Sequence, residues 1–410
     1  MPPVRNAERG FFPLDEELGL LPGKLLPRDH ECLVRLAGWM PFEKAVEMLG
    51  EMVGIQVSKI VAQNYTEGAG AAYVQMQEEE VGQLEREMPE AKGEGVEKMQ
   101  LSADGAMVPL LHGIWAEVRT LVVGEVHSGK QKDGKREVHT RNLSYFSRKV
   151  SAQEFQRLAL VEIHRRKVEK AGAVAAVMDG ADWEQGFVDF HCPDAIRILD
   201  FAHAAVHLNE IGEFLHGEHT LESQAWLKEH AHSLKHEGPD ALLRELEDLQ
   251  KQYPQAEAIA SNLAYLKKRK QQIQYPLFQA QDWPIGSGSV ESGNKLVVQA
   301  RLKGAGMHWA EANVNPMLAI RNILCSGRWK EDWPKIEDRL RLLARQRRQC
   351  VHRKHHLAPR TSLVARALQG DFDLASAPLP SQLPTPSTPK KNPWRNFTYG
   401  KALFQRHPKI

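Results

Sequence analysis

The sequence predicts an α/β fold: a mixed sheet flanked by helices, with a helical domain ahead of the sheet and an all-helical insertion before its last element. Three observations carry this. Residues Met99 to Asp104 alternate apolar and polar side chains, the period-2 signature of a half-buried strand. The run AVAAVM, Ala173 to Met178, is apolar throughout, as a central strand covered on both faces must be. From Phe201 to Phe278 the pattern is helical and charged, with Leu and Trp226 on the inner faces and no strand pattern between.

Taken in order, the region up to Gly70 reads as three short helices. Within it, PFEKAVEMLGEMVGIQVSKIVAQNYTEGAG has a helix-turn-helix-like outline. Ala45, Val46 and Leu49 form one apolar stripe, Gly54 supplies the break, and Ser58 caps a helix carrying Ile60, Val61 and Tyr65. A DNA-reading version would place that second helix in the major groove; the plain alternative is a three-helix packing unit. Residues 71–97 are Glu-rich and read as a connecting helix and loop. WAEVRTLVVGEV and LSYFSRKV then continue a β-meander, separated by the polar stretch HSGKQKDGKREVHTRN.

Ser151, with Glu154 three residues on, forms a capping box for a helix running to Lys170, where Gly172 stops it. AVAAVM ends at Asp179-Gly180. A short helix and Pro193 lead to the strand AIRIL, which ends at Asp200. After the inserted helices, the Gly-rich WPIGSGSVESGNK opens a helix reaching Leu302, with Gly304 just past its end. Beyond Leu374, ASAPLPSQLPTPSTPKKNP has the composition of a disordered Pro/Ser tail.

The chain has 410 residues, 42% hydrophobic and 26% charged, enough for one large core with accessory domains. No apolar run reaches the roughly eighteen residues of a membrane span, and MPPVRNAERGFFPLDEE lacks the apolar stretch of a secretory signal. A soluble, cytoplasmic protein with no membrane partner is expected. Cys32, Cys192, Cys325 and Cys350 are scattered without a CxxC pair, so they read as reduced thiols rather than a disulfide framework or zinc ribbon. A net charge of +2 says little, but its distribution is uneven. Arg339 to His356, RLRLLARQRRQCVHRKHH, is strongly basic, and Lys390, Lys391 and Arg395 follow in the tail; such runs can neutralise phosphates or simply be solvated.

Asp104, Asp179 and Asp200 fall where strands are predicted to end, the edge at which open α/β sheets gather their sites. Glu291 opens a helix after the insertion. Converging carboxylates from different elements can hold Mg²⁺ or Mn²⁺, and two such ions, about 4 Å apart, suit phosphodiester chemistry. Spacing alone is weak in a chain with 52 acidic residues, and Asp104 and Asp179, each followed by Gly, also read as turn residues. Asp200 competes with Asp179 for the second position. Asn294, Lys295 and Lys303 follow Glu291 as candidates to support the acids or contact DNA, against a solvated basic face. His203 could orient an acid or contact DNA, against a satisfied buried histidine.

His203 and His207 have zinc spacing but lack the Glu of HExxH. Trp183 and Trp309 could stack on unpaired bases, though core packing is the simpler role. GEVHSGK, Gly124 to Lys130, fails as a phosphate loop because Gln131 follows and no helix does. Cys350, His352, His355 and His356 lie inside the basic helix with no partner pair.

LSADGAMVPL, AEVRTLVVGEV, LSYFSRKVSAQEFQRLALVEIHRR, VMDGADWEQGFVDFHCPDAIRILDFAHAAVHLNEIG and YPLFQAQDWPIGSGSVESGNKLVVQARLKGAGMHWAEANVNPMLAIRN resemble transposases of the ISKra branch of bacterial insertion sequences, from Gly10 to Trp329. The resemblance implies an RNase H-like catalytic domain and a DDE set mapping onto Asp104, Asp179 and Glu291. Asp200 and His203 match the acid-x-x-His motif of the related Mutator-like transposases. On this reading residues 1–70 are a helix-turn-helix-like DNA-binding region and 71–97 a linker helix. Residues 98–215 and 281–330 are the two parts of the catalytic core around a helical insertion at 216–280. Residues 331–374 are basic helices and 375–410 the tail. The implied function is metal-dependent cleavage of transposon ends and 3′-hydroxyl strand transfer, with terminal inverted repeats and target DNA as partners and a homo-oligomer assembled on them. The alternative is a truncated or domesticated relative that binds transposon DNA without catalysis, since a Cys-containing segment that precedes GFFPLDEELGL in many relatives is not in this sequence.

Overall fold

A computed structural model describes residues 25–91, 93–130 and 136–357. The N-terminal GFFPLDEELGL motif, the Pro/Ser tail with Lys390, Lys391 and Arg395, and the side chains of Cys350, His352, His355 and His356 lie outside the described residues. The described residues up to Arg347 belong to one compact unit, which the description concerns.

The described residues open with three helices, α1 (Pro27–Trp39), α2 (Phe42–Val53) and α3 (Lys59–Leu84), followed by β1 (Lys98–Pro109), β2 (Trp115–Lys130) and β3 (Arg136–Arg148). Short helices α4 (Ala152–Leu158) and α5 (Leu160–Arg165) precede β4 (Ala173–Met178), and α6 (Asp182–His191) precedes β5 (Ile196–Leu199). The helices α7 (Phe201–His216), α8 (Leu221–His236), α9 (Pro239–Gln252), α10 (Glu257–Lys268) and α11 (Tyr275–Ala280) come next. A continuous helical run then comprises α12 (Gly288–Gly293), a π-helical segment Asn294–Gln299 and α13 (Ala300–Leu302). Helices α14 (Glu311–Cys325) and α15 (Trp329–Leu357) close the order.

The five strands form one mixed sheet in the order β3-β2-β1-β4-β5. β1 to β3 make an antiparallel meander, and β4 and β5 run parallel to β1. Strand alternation sorts the side chains onto two faces. Met99, Leu101 and Ala103 of β1 share a core with Ala176 and Met178 of β4, closed over by Phe155 of α4, Ile163 of α5 and Phe187 of α6. On the opposite face Ala175 and Val177 of β4 pack against Leu208 of α7 and Ile259 and Leu266 of α10. That second face continues along β1 as Ala106 and Val108, covered by Val290, Val297 and Leu302 of the helical run and by Leu318 of α14. The α/β class and the flanking helices are as the sequence predicts.

Several elements differ from expectation. β1 does not end at Asp104 but continues to Pro109, because β2 stays alongside it and Gly105 is paired with Arg119 in the ladder. The hairpin arms also extend into the stretch expected to be a loop, with Val126, His127 and Ser128 paired to Thr140, His139 and Val138. GEVHSGK is therefore strand. The helix expected over 151–170 starts at the Ser151 cap, whose Oγ accepts from Glu154 N at 3.2 Å, but it breaks into α4 and α5 and ends before Lys167, which takes a left-handed φ of 56°.

The N-terminal helices keep their predicted punctuation. Gly54 ends α2 at φ 76°, and Ser58 Oγ accepts from Val61 N at 3.3 Å to start α3. However, α3 runs through Gly70 to Leu84, and its buried stripe is Ala62, Thr66 and Ala69, leaving Ile60 exposed. Gly70 is a contact residue: a Cβ there would lie 2.1 Å from the carbonyl oxygen of Pro316 in α14.

Two buried arginines fasten this bundle to the rest. Arg301 Nε donates to Ala37 O at 2.8 Å and Arg321 Nη1 to Gly38 O at 3.0 Å, satisfying carbonyls in the last turn of α1 that have no helical partner. Arg321 also donates through Nε to Val297 O at 3.2 Å and through Nη2 to Leu296 O, both in the π-helical segment.

The close contact at Gly70 gives a paired test. Gly70→Val should cost about 3 kcal/mol or more, as overpacking against backbone cannot relax. Gly68→Ala, where a Cβ meets nothing within 4 Å, should instead stabilise by about 0.5–1 kcal/mol through helix propensity. Urea denaturation of the two variants beside the wild type measures both.

Candidate active site

The parallel register places the acids. The β1–β4 ladder runs to Leu101–Ala176 and the β4–β5 ladder to Met178–Leu199; continued past those last pairs, the two registers bring Asp104, Asp179 and Asp200 level with one another. The three aspartates thus form one row on the face that carries α7 to α13, at the carboxyl ends of β4 and β5. Chain continuation differs at each. Asp104 sits within β1, Asp179 leads into a turn at Gly180 with φ 81°, and Asp200 precedes α7. Gly180 is required twice over, by its left-handed φ and because a Cβ would lie 2.6 Å from Arg269 Nε.

Their surroundings distinguish them. Asp200 is buried, its Oδ1 accepting from Ser287 N at 3.1 Å, and it ties β5 to the start of the helical run. Asp104 and Asp179 are only partly buried and line a cleft of about 730 Å³, which Asp200 does not. Asp179, rather than Asp200, is the one open to a ligand.

Glu291 is exposed in the first turn of the helical run. The run reaches the sheet closely at Gly293, where a Cβ would lie 2.9 Å from Val122 and 3.1 Å from Tyr145. One residue on, buried Asn294 donates Nδ2 to Asp104 Oδ2 at 2.8 Å, while Gly105 N donates to Asp104 Oδ1 at 2.6 Å. The helix bearing Glu291 is therefore bonded directly to Asp104, although Glu291 itself does not line the cleft.

Electrostatics reports the same clustering. Asp179 is pushed up to about 6 by burial, then by the charges of Asp104, Asp200 and Glu291. Asp104 is raised as well, by burial first and by Glu291 and Glu117 among the charges, against the lowering effect of its hydrogen bonds. Glu184, 2% exposed, accepts from Gly180 N at 2.8 Å and Ala181 N at 3.1 Å and so holds the turn after Asp179. Burial, then Asp179, pushes Glu184 up to about 8.

The opposite wall of the cleft is helical. Tyr265 Oη donates to Asp179 O at 2.7 Å, and Arg269 donates to Gly180 O while lying 3.7 Å from the Tyr265 ring centroid. Burial pushes the Tyr265 hydroxyl up to about 12, which keeps it a donor. His203 lines this wall, and burial lowers its pKa; its neighbour His207 stacks on Tyr265 at 3.8 Å and hydrogen-bonds Asn262 Oδ1 through Nδ1 at 2.6 Å. That arrangement fills a packing role for His207 rather than a zinc-ligand one.

The remaining candidates separate. Lys295 is exposed beside Asn294. Lys303 lies 5.6 Å from the ring of Trp115, which pairs with Pro109 five residues along β1 from Asp104, and it does not line the cleft. Trp309 is buried, its Nε1 donating to Leu302 O at 3.1 Å, whereas Trp183 lines the cleft with Arg119 5.3 Å from its ring. Within the basic segment Arg339 pairs with Glu79, and Arg341 with Glu337 and Asp338. Glu184, Tyr265 and Arg269 were not among the sequence candidates. Glu184, a helix-opening acid just after Asp-Gly, had a local signal; the other two had none.

Asp104 and Asp179 supply the hard oxygen donors that Mg²⁺ or Mn²⁺ takes, and Asn294 Oδ1, buried without a partner, is a further oxygen beside Asp104. Among the described residues no three His, Cys, Asp or Glu side chains converge as a complete metal cage. The set fits an ion shared between one or two carboxylates, waters and substrate phosphate, the usual arrangement for Mg²⁺. Among the described residues no helix is long and apolar enough to cross a membrane. No protein-family model matches the chain, and no curated protein matches it.

Raised carboxyl pKa values set a pH dependence. Between the unfolded value of 3.8 and the folded value of about 6, the native chain holds a proton on Asp179 that the unfolded chain has released, so stability falls as pH rises through that window. Asp179→Asn removes the cost. In EDTA the variant should be more stable than the wild type near pH 7.5, with the gap closing toward about pH 4. Thermal denaturation across that range checks it.

Proposed function

We propose that the chain is a DDE transposase that cuts transposon ends and joins them to target DNA, with Asp104, Asp179 and Glu291 as its catalytic acids. The observation that carries this reading is the strand register that aligns Asp104 with Asp179, together with the Asn294 bond that brings the Glu291 helix to Asp104. The β3-β2-β1-β4-β5 order, with three antiparallel strands followed by two parallel ones, is compatible with an RNase H-like fold, and helices α8 to α11 stand where the resemblance implies an insertion. The reading carries with it terminal inverted repeats and target DNA as partners, assembly as a homo-oligomer on them, and a place in the cytoplasm at the nucleoid.

Asp104, Asp179 and Glu291 would hold one or two divalent ions, which when bound supply the charge that activates a water or 3′-hydroxyl and steadies the departing oxygen. The chain's own groups prepare that site. Asn294 and Gly105 fix both oxygens of Asp104. Tyr265, Arg269 and Glu184 fix the backbone on either side of the Asp179–Gly180 link. Asp200 anchors the entrance of the Glu291 helix through Ser287 N. Among the described residues neither Asp104 nor Asp179 has a salt-bridge partner, so a bound divalent ion would relieve the repulsion that Asp104 exerts on Asp179.

Two measurements test the reading. Mg²⁺ or Mn²⁺ should raise the melting temperature of the wild type and leave Asp104→Ala and Asp179→Ala unmoved. On labelled duplexes carrying the DNA that flanks the gene, the wild type should nick in Mg²⁺. Alanine at Asp104, Asp179 or Glu291 should slow nicking by about a thousandfold, roughly 4 kcal/mol of barrier, while binding survives. Normal cleavage by Glu291→Ala removes that residue from the set. Binding without nicking under any divalent ion points to a non-catalytic occupant of transposon ends, and equal cleavage of unrelated DNA to a general nuclease.

A further inference from the structure

The cleft has a polarity that the acids do not explain. Asp104, Glu117, Asp179, Asp182 and Glu184 line it from the sheet and from α6, whereas the two cations that line it, Lys268 and Arg269, come from the helices after β5, as does His203. Arg269, the residue that ends α10, is the unusual one. It is 6% exposed, yet among the described residues no carboxylate forms an ion pair with it. Its side-chain partners are the Gly180 carbonyl and the face of Tyr265, and its Nε has no acceptor.

A buried guanidinium carries five N–H donors and a fixed charge, and burying it without a counter-charge is costly. The negative end of the α10 dipole accounts for exposed Lys267 and Lys268 in its last turn, where water would serve equally well. It does not account for drawing Arg269 under cover at the lip of a cleft. Lys268 leaves the same turn exposed, held only by a 3.5 Å contact with highly exposed Asp182.

We infer that Arg269, with Lys268 beside it, forms a phosphate subsite on the helical wall of the cleft, across from Asp104 and Asp179. Its ligand is a phosphodiester group of the nucleic-acid strand being processed, an identification that rests on the proposed function. Planar, bidentate donors suit phosphate oxygens, and the site neutralises backbone charge without reading a base. The helical insertion thereby contributes substrate contact in addition to covering the sheet.

The test uses the full chain in Ca²⁺, with binding of duplex DNA followed by fluorescence anisotropy from about 50 to 300 mM salt. Arg269→Gln should bind several-fold more weakly and lower the slope of log affinity against log salt by about one, and Arg269→Lys should restore the slope. Lys268→Gln, a surface change that leaves the fold intact, should shift the slope in the same direction. If Arg269 only clasps the Gly180 turn, the Gln variant melts earlier but keeps the wild-type slope, and an unchanged slope in both Gln variants overturns the subsite. Inorganic pyrophosphate without divalent ions separates the two claims. Should the wild type fail to bind DNA, a melting temperature raised by pyrophosphate in the wild type and unmoved in Arg269→Gln keeps the phosphate subsite while discarding the nucleic-acid reading. No such difference discards both.

Discussion

Three parallel strands in register decide where everything else must go. Because β1, β4 and β5 pair without a slip, one residue position on each falls in the same row, and in this sequence all three positions are aspartate. A row of carboxylates at strand spacing is unfavourable; burial raises Asp104 and Asp179 above the usual carboxylate range, and neighbouring acids add to it, Asp104 and Asp200 at Asp179 and Glu291 at both. The surrounding structure limits the cost by directed hydrogen bonds: Asn294 and Gly105 on Asp104, Ser287 on Asp200. A sheet built for stability alone would place apolar or paired residues there. That it does not is the physical reason for regarding this edge as the working part of the molecule.

What the sequence made legible was local. AVAAVM announced a buried strand and its end at Asp179, and Ser58, Ser151 and Gly54 announced helix boundaries that the structure keeps, since each signal acts within one turn of chain. Asp104 was expected at a strand end and lies inside β1 instead. Its Asp-Gly pair does not turn the chain, because the neighbouring strand continues and pairing outweighs turn preference. Gly70 likewise looked like a stop and is a contact. Its role depends on Pro316, far away in sequence.

The helical wall of the cleft was illegible for the same reason. Tyr265 and Arg269 reach Asp179 and Gly180 across 86 and 89 residues, and no spacing rule spans that distance. Asn294 was legible only as a neighbour of Glu291, while Lys303, chosen on the same grounds, is carried away along β1 by the length of the helical run. Sequence proximity to an acid predicts a shared element, not a shared site.

Arg321 spreads one rigid, planar fork over the carbonyls of Gly38, Leu296 and Val297. Two of these belong to the π-helical segment that directly continues the helix of Glu291, and the third to the last turn of α1. Guanidinium bonds of this kind tolerate little sliding, so the first helix and the acid-bearing helix are geared together. Motion imposed on the N-terminal bundle would arrive at the edge of the sheet as displacement instead of being absorbed in a soft loop.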